Sequence, residues 1–455
     1  MLFQKVYHYL SLPFIKSKNE IDALNGLRAY SIIAVIILHL WGLYRSLGAL
    51  SEVNHFLDLF LSQYQSVMDL FFMLSGFLIS GWFFDNQHLL YNANQTQSGI
   101  IRSRNSLSPV IKKNTAYLHY LLKRFFRIVP VYYLAILIYA LFSYHQIQNL
   151  SSIPPTEEVA RALETYQILL SSSWNDALFV SNYTKTRLMS HGWSLSAEVQ
   201  FYILIPFYLY FYFKFAPRHR IILLVVSMLP AFILRILLME TLSADTDSYN
   251  REVYYPFHTR YDSFLAGILL MEIYYSFLKR EPSLIEDRQE PYVHNFEIKI
   301  LSYIQHPHSA KQKITELILL GVSFTIMLLS QGVLSNKHHP ALYASRFTFF
   351  QISFGIIFLL ALIDGSMTSR LLSGTILRSI SRISYGMYLS HILVLPWITG
   401  RVFGAHSVSI ANSSYGIIAI ILVCILATYI TGLLSYYFIE QPFMMLRKFL
   451  HDRLA

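Results

Sequence analysis

Cysteine is all but absent: Cys424 stands alone among 455 residues, inside an apolar run. One thiol forms no disulfide within the chain, no thiolate zinc cluster and no redox pair, and a lone cysteine in such surroundings is ordinarily inert packing. Charge is scarce as well. Asp, Glu, Lys and Arg make up 14% of the chain, where soluble domains carry about a quarter. No stretch reads as an ordinary soluble domain, and no internal repeat suggests the inverted halves of many transporters. Apolar residues take the place of charge: 54% of the chain is hydrophobic and 16% aromatic. With a mean hydropathy of +0.42, the composition implies lipid as the solvent.

A hydrocarbon core roughly 30 Å thick needs about 20 apolar residues per helical span. Ten such segments are present, at 27–44, 65–84, 125–146, 195–215, 219–239, 257–277, 314–333, 346–364, 383–403 and 415–439. The expectation is an all-α, polytopic integral membrane protein with about ten transmembrane helices. Residues 165–181 are weakly apolar and broken by Trp174, Asn175 and Asp176, which suits an interfacial or re-entrant segment. Residues 1–26 read as a cytoplasmic amphipathic lead-in without a cleaved leader, because the patch 10–15 contains Pro13 and is too short for a signal core. The loops 86–115 and 281–313 are polar, and 443–455 reads as a basic tail.

The net charge of +10 raises the question of nucleic acid. Its distribution answers it. With the N-terminus placed in the cytoplasm, the inner segments hold 24 Lys and Arg against 8 outside. Such a bias follows the positive-inside rule and puts both termini in the cytoplasm. Basic residues spread over six inner segments make no nucleic-acid patch.

Ionisable groups inside spans are costly and mark candidate sites. Arg28 and His39 lie eleven residues apart in the first span. That is three helical turns, so both share a face, roughly 16 Å apart along the axis. A cation at the inner rim in line with a deep imidazole suits an elongated ligand with an anionic head, such as acyl-CoA. The plainer alternative is that Arg28 snorkels and His39 bonds a neighbouring helix. Arg124 and Arg127, three apart at the start of the third span, share a face and could grip nucleotide phosphates; each also suits simple anchoring. Glu198 stands among apolar residues near the outer face and needs a partner, a cleft-facing histidine being one candidate. Its alternative is a helix N-terminal acid capped by Ser194. Asp262, beside Arg260, and Ser384 and His391 of the ninth span are read as acceptor-binding or structural groups. Glu440 is placed at the cytoplasmic end of the tenth span. No metal site is indicated.

The ordered blocks LNGLRAY with His39, FFMLSGFLIS, RFFRIVPVYY, WSLSAEVQFY, RYDSFLAG, ISYGMYLSH and IEQP resemble the acyltransferase family 3 membrane proteins. That family O-acylates bacterial surface polysaccharides, peptidoglycan and some small molecules. The resemblance covers nearly the whole chain, and makes 27–442 a transmembrane acyltransferase domain. The family's Arg–ten residues–His pattern falls on Arg28 and His39, its R-x-x-R pair on Arg124 and Arg127, and its acidic residue on Glu198. Three positions depart from it: Asn25 where Asp is frequent, Ser390 where Trp is frequent, and Gln441 where a basic residue is frequent. Some relatives carry an appended extracytoplasmic esterase domain, so its absence here implies a standalone transferase or a separate extracytoplasmic partner.

The resemblance implies transfer of an acyl group, most often acetyl, from cytoplasmic acyl-CoA as co-substrate to a hydroxyl of an envelope glycan or glycolipid such as O-antigen. The location implied is the bacterial cytoplasmic (inner) membrane, with no bound cofactor. Arg28, Arg124 and Arg127 would hold the donor. His39 would serve as general base or as a transiently acylated nucleophile, and Glu198 would orient it or bind the sugar. A secondary transporter or lipid-linked-sugar flippase is the rival, and a lipid-binding scaffold is a third reading that leaves the aligned Arg28 and His39 unexplained.

Overall fold

The computed structural model describes residues 8–17, 20–48, 61, 66–87, 109–242, 246–278, 310–331 and 339–454. Among them every regular element is helical: α1 (Asp22–Ser46), α2 (Val67–Asp85), α3 (Pro109–Ser151), α4 (Glu157–Ser171), α5 (Gly192–Tyr212), α6 (Pro217–Thr241), α7 (Tyr261–Ile273), α8 (Ala310–Gln331), α9 (Pro340–Leu362), α10 (Thr375–Ile398), α11 (Ser414–Ser435) and α12 (Gln441–Leu454), with short helical turns between. Among the described residues, seven stretches are long and apolar enough to cross a membrane: Asp22–Ser46, Val67–Asp85, His119–Ser151, Pro217–Thr241, Ala310–Ser330, Pro340–Leu362 and Tyr415–Leu450. The three other expected spans fall on α5, α7 and α10. Each misses that standard for a visible reason: α5 carries Ser194, Ser196, Glu198 and Gln200, α7 has only 13 residues, and α10 carries Arg378 and Arg382. The chain is a polytopic, all-helical membrane protein.

Lipid explains the surface. On α11, Ile418, Leu422, Leu426, Ile430 and Leu434 recur every fourth residue and are each 49–61% exposed. In water such a stripe would be a liability; against acyl chains it is the required face. Prolines lie inside α3, α5, α6 and α10 (Pro130, Pro206, Pro230 and Pro396). The carbonyl that Pro206 frees, that of Tyr202, accepts from the Tyr120 hydroxyl, the kind of substitute partner that lets a helix in lipid carry a proline.

Several boundaries differ from expectation. α3 opens at Pro109, a favoured first helical position, and so takes over the end of the polar segment 86–115. Residues 88–108 and 279–309 lie outside the described residues. The expected tail 443–455 is not a loose end: through Leu454 it is the helix α12, which packs on α3. Segment 165–181 begins in α4, an amphipathic helix with no buried residue.

The fold resolves into two compact units. Unit 1 comprises Met1–Leu78, Leu224–Thr241 and Tyr261–Gly432; unit 2 comprises Ile79–Leu223, Leu242–Arg260 and Leu433–Ala455.

In unit 1, α10 lies along α1 and α9 lies along α8. Bare glycines permit a close crossing of α2 and α7. A Cβ on Gly76 of α2 would stand 2.1 Å from the Phe264 carbonyl oxygen, and one on Gly267 of α7 would stand 2.1 Å from that of Met73. Each helix therefore presents a glycine to the other's backbone, the small-residue solution to packing in lipid.

The lead-in is strapped to α10. Arg378 grips Asp22 through Nε and Nη2 at 2.9 and 2.7 Å and donates from Nη1 to the Phe14 carbonyl at 2.7 Å. Arg382 donates to the Leu12 carbonyl at 2.5 Å and to Glu20 at 2.7 Å. Asn25 accounts for one departure from the family pattern. Its Nδ2 donates to Glu20 at 2.8 Å while its Oδ1 accepts from the Ser381 hydroxyl at 3.0 Å. A carboxylate there could not donate, and would face Glu20 as a like charge.

Unit 2 is built on α3, against which α4 and α12 pack. The segment after α4 is fastened by Asp176. Its Oδ2 accepts from the Leu188 and Met189 amides at 2.8 and 3.2 Å, and its own carbonyl accepts from the Tyr132 hydroxyl at 3.1 Å.

Candidate active site

α1 runs unbroken through Arg28 and His39, so their three-turn spacing holds, and both side chains are half-buried. His39 turns Nδ1 back along the helix to the Val35 carbonyl at 2.9 Å. A carbonyl only accepts, so in the neutral ring Nδ1 carries the proton and Nε2 the lone pair. His391 of α10 repeats the arrangement, with Nδ1 on the Tyr388 carbonyl at 2.6 Å. The two rings meet edge-on, centroids 4.9 Å apart at 62°. His391 is fully buried, and Tyr388, itself stacked on Phe71, lies 5.5 Å from its ring. Unit 1 thus holds an imidazole pair whose first member is tautomerically set as a base. The sequence reading named both histidines but did not join them.

Ser384 is buried and donates to the Ser381 carbonyl at 2.7 Å, which ties its hydroxyl to its own helix. Ser390, where the family favours Trp, shares a 2.8 Å hydrogen bond with Thr431.

Asp262 has a partner that the sequence reading did not assign. Arg235 of α6 donates to it at 2.7 Å, and both side chains are buried. Arg260 instead lies in unit 2 and donates to the Tyr254 carbonyl at 3.1 Å. Beside the Asp262 pair, the Ser263 hydroxyl donates to Asp69 at 2.6 Å and accepts from Gln351 at 3.0 Å. This layer of buried polar groups joins α2, α6, α7 and α9. Asp69, Arg235 and Gln351 were missed because their motif blocks carry no signature beyond one polar residue in an apolar run.

In unit 2 the expected donor-binding arginines divide. Arg124 is half-buried, its guanidinium 5.5 Å from the Tyr202 ring and 5.9 Å from the Tyr120 ring. Tyr120 donates from its hydroxyl to the Tyr202 carbonyl at 3.4 Å. Arg127 is exposed, and its charge acts on the carboxyl of Glu440. Glu440, expected at the cytoplasmic end of the tenth span, is enclosed by protein, 5% exposed in the π-turn Tyr436–Glu440.

Glu198 is buried and accepts a hydrogen bond from the Tyr202 hydroxyl, one turn along α5. That places the acid on the same aromatic cluster as Arg124, within unit 2. The capping alternative fails: α5 starts at Gly192 after His191, and Ser194 donates to the His191 carbonyl at 3.2 Å instead of capping. Among the described residues, no three His, Cys, Asp or Glu side chains gather as a metal site.

An acyltransferase-domain family model matches residues 21–434. The O-acetyltransferase OatA of Staphylococcus aureus (strain NCTC 8325 / PS 47) is 24% identical over 434 residues, covering 94% of this chain and 57% of its own length. The peptidoglycan O-acetyltransferase OatA of Listeria monocytogenes serovar 1/2a (strain ATCC BAA-679 / EGD-e) is 24% identical over 436 residues, covering 94% of this chain and 56% of its own length. The chain thus spans little more than half the length of these curated relatives. No solved structure matches it significantly.

Proposed function

Because the chain belongs to this acyltransferase family, we propose that it moves an acetyl group from acetyl-CoA, bound from the cytoplasm, to a hydroxyl of an extracytoplasmic envelope polysaccharide. The relatives' names favour acetyl as the group, and one of them specifies peptidoglycan, which favours a peptidoglycan strand over O-antigen as acceptor. The membrane is then the bacterial cytoplasmic membrane.

The observation that carries the mechanism is the pinned imidazole of His39, whose Nδ1 is committed to Val35. Its Nε2 removes the proton from the sugar hydroxyl as that oxygen attacks the thioester carbonyl carbon. The carbon–sulfur bond breaks, the CoA thiolate takes the proton back from the imidazolium, and an acetate ester and free CoA leave. His391 holds the ring edge of His39 and positions it. Arg28, Arg124 and Arg127 are assigned to the donor's phosphates, where guanidinium forks suit phosphate oxygens. Glu198 places Tyr202 beside Arg124. Asp262 belongs to structural support through Arg235. Acylation of Nε2 as a first step is the alternative route, and an acyl-imidazole trapped from donor alone would establish it.

The test is acetyl-CoA turnover and ester-linked acetate on envelope glycan, in membranes holding wild type or an equally expressed His39→Ala variant. Wild type should release CoA and add acetate, and the variant neither. Wild-type membranes that consume no donor in the presence of native glycan would return the transporter reading to the front.

A further inference from the structure

Two segments of unit 2 face one another beside the start of α5. The first, residues 181–191, is held by Asp176 through the Leu188 and Met189 amides, and by Asn175, which donates to the Thr186 carbonyl at 2.8 Å. The second runs from the π-turn Asn250–Tyr254 through Pro256 to the short 3-10 turn Phe257–Thr259. Thr259 closes it by donating to the carbonyls of Val253 and Pro256 at 2.7 and 2.9 Å. Neither has a regular ladder, yet both are tied in place by buried hydrogen bonds.

Between them runs a row of three rings with a guanidinium at each end. The Arg260 guanidinium lies 4.7 Å from the Tyr254 ring, Trp193 lies 4.9 Å from Tyr254 and 5.0 Å from Tyr255, and the Arg187 guanidinium lies 4.2 Å from Tyr255. Arg260, Tyr254 and Trp193 are buried; Tyr255 and Arg187 are half-buried. Alongside, Tyr183 stacks on His258 at 5.5 Å and 18°, and the two share a 3.1 Å hydrogen bond. Tyr183 remains 47% exposed.

Aromatics of an interfacial belt stand with ring body in lipid and polar tip in water. These rings instead engage one another and two guanidiniums in one ordered row, with cation–π geometry at both ends. The open end offers two chemistries side by side. Tyr183 has one face on His258 and presents the rest of its ring outward. Arg187 donates from Nη2 to the Thr184 carbonyl at 3.1 Å, which holds its guanidinium next to the residue that follows Tyr183. Its Nη1 is enclosed and has no hydrogen-bond partner among the described residues, so a ligand from the open side would meet the Nε and Nη2 edge. The charges of Asp247 and Asp176 act on it, but Asp247 lies on the exposed side, 4.0 Å from Arg251, and Asp176 is engaged by the amides of Leu188 and Met189.

We propose that this open end is a binding platform for an acidic glycan: a pyranose ring stacks on Tyr183 and a carboxylate substituent takes the guanidinium of Arg187. An aromatic face suits the C–H face of a sugar, and a fork of N–H donors suits a carboxylate, so one ligand satisfies both. The identification of that ligand as acceptor rests on the acyl-transfer reading; the platform itself does not.

The experiment uses the full chain in phosphatidylcholine nanodiscs. The probe is a tetrasaccharide of alternating N-acetylglucosamine and N-acetylmuramic acid, offered intact or with its carboxylates reduced to alcohols, with binding followed by calorimetry. Wild type should bind the acid at least about tenfold more tightly, the equivalent of ~1.4 kcal/mol. Arg187→Gln should erase that preference, Arg187→Lys should restore part of it, and Tyr183→Ala should weaken both ligands alike. Equal binding of acid and alcohol by wild type, no binding by wild type, or an unchanged preference in Arg187→Gln would each overturn the proposal. So would loss of the tetrasaccharide preference when phosphatidylglycerol replaces part of the lipid, since that assigns Arg187 to headgroups. Binding that behaves as expected without acetyl transfer leaves the platform standing and removes the acyl-transfer reading, whereas transfer with unaltered binding removes the platform alone.

Discussion

His391 meets His39 edge-on, 4.9 Å between ring centroids, and both rings are tethered by Nδ1 to carbonyls of their own helices. Packing of this kind fixes which edge of His39 is available for chemistry. Removing the base should therefore cost on the order of 10²–10⁴ in rate, so His39→Ala should lie near background in CoA release. His391→Phe keeps the ring volume and should keep the donor KM while lowering kcat. A role in packing alone would leave both constants at the wild-type value.

The buried pair of Arg235 and Asp262 gives a stability prediction. Arg235→Met leaves a carboxylate enclosed without its cation, a loss of about 3–5 kcal/mol. The double variant Arg235→Met with Asp262→Leu removes both charges and should recover most of that loss. Thermal unfolding of the detergent-solubilised protein checks it. A double variant no better than the single would show that Arg235 serves something besides Asp262.

Gly76 faces the Phe264 carbonyl and Gly267 that of Met73, at distances that leave no room for a methyl group. Gly76→Ala should destabilise by about 1–3 kcal/mol or more, because carbonyl oxygens of a packed helix yield less than side-chain ends. Gly42→Ala is the control, since nothing lies within 4 Å of a Cβ there. Similar unfolding midpoints for both variants would remove the close-crossing argument.

Asp176 lies outside the candidate spans, and burial pushes its pKa up to about 6, against the amides of Met189 and Leu188 and the hydroxyl of Ser181. A carboxyl raised above its unfolded value binds more protons in the folded state. It therefore adds stability that is fully present below about pH 4 and is lost as pH rises through about 6. Asp176→Asn should flatten that part of the stability profile, measured as the unfolding midpoint between pH 4 and 7. An undiminished slope in the variant would place the titration elsewhere.

The helices themselves were legible from hydropathy, because every expected span lies on one. Length and period carry that information locally. Arg28 and His39 were legible for the same reason, being placed by one helix. What periodicity does not encode is the choice of partner between distant segments. Nothing local says that Asp262 meets Arg235 and not the nearer Arg260 of its own motif, and nothing around His391 names His39. Glu440 shows the second kind of loss. A carboxyl at the end of an apolar run gives no sign that a π-turn forms there or that neighbouring groups will enclose it. The aromatic row ending at Arg187 was invisible because two irregular segments and the start of α5 contribute to it, and only the fold brings them together.

The clasp of Arg378 and Arg382 on the lead-in has a consequence for how the protein is made. Asp22 leaves the ribosome 356 residues before the arginine that grips it. At roughly 5–20 residues per second, translation leaves about 20–70 s in which the first helix is inserted but not yet fastened. During that interval Glu20 and Asp22 have only partners within the lead-in and α1, such as Lys16 and Asn25, and lack their arginines. Only when α10 arrives does the segment ahead of α1 become part of the finished bundle, so a segment made well before α10 waits for it to be locked.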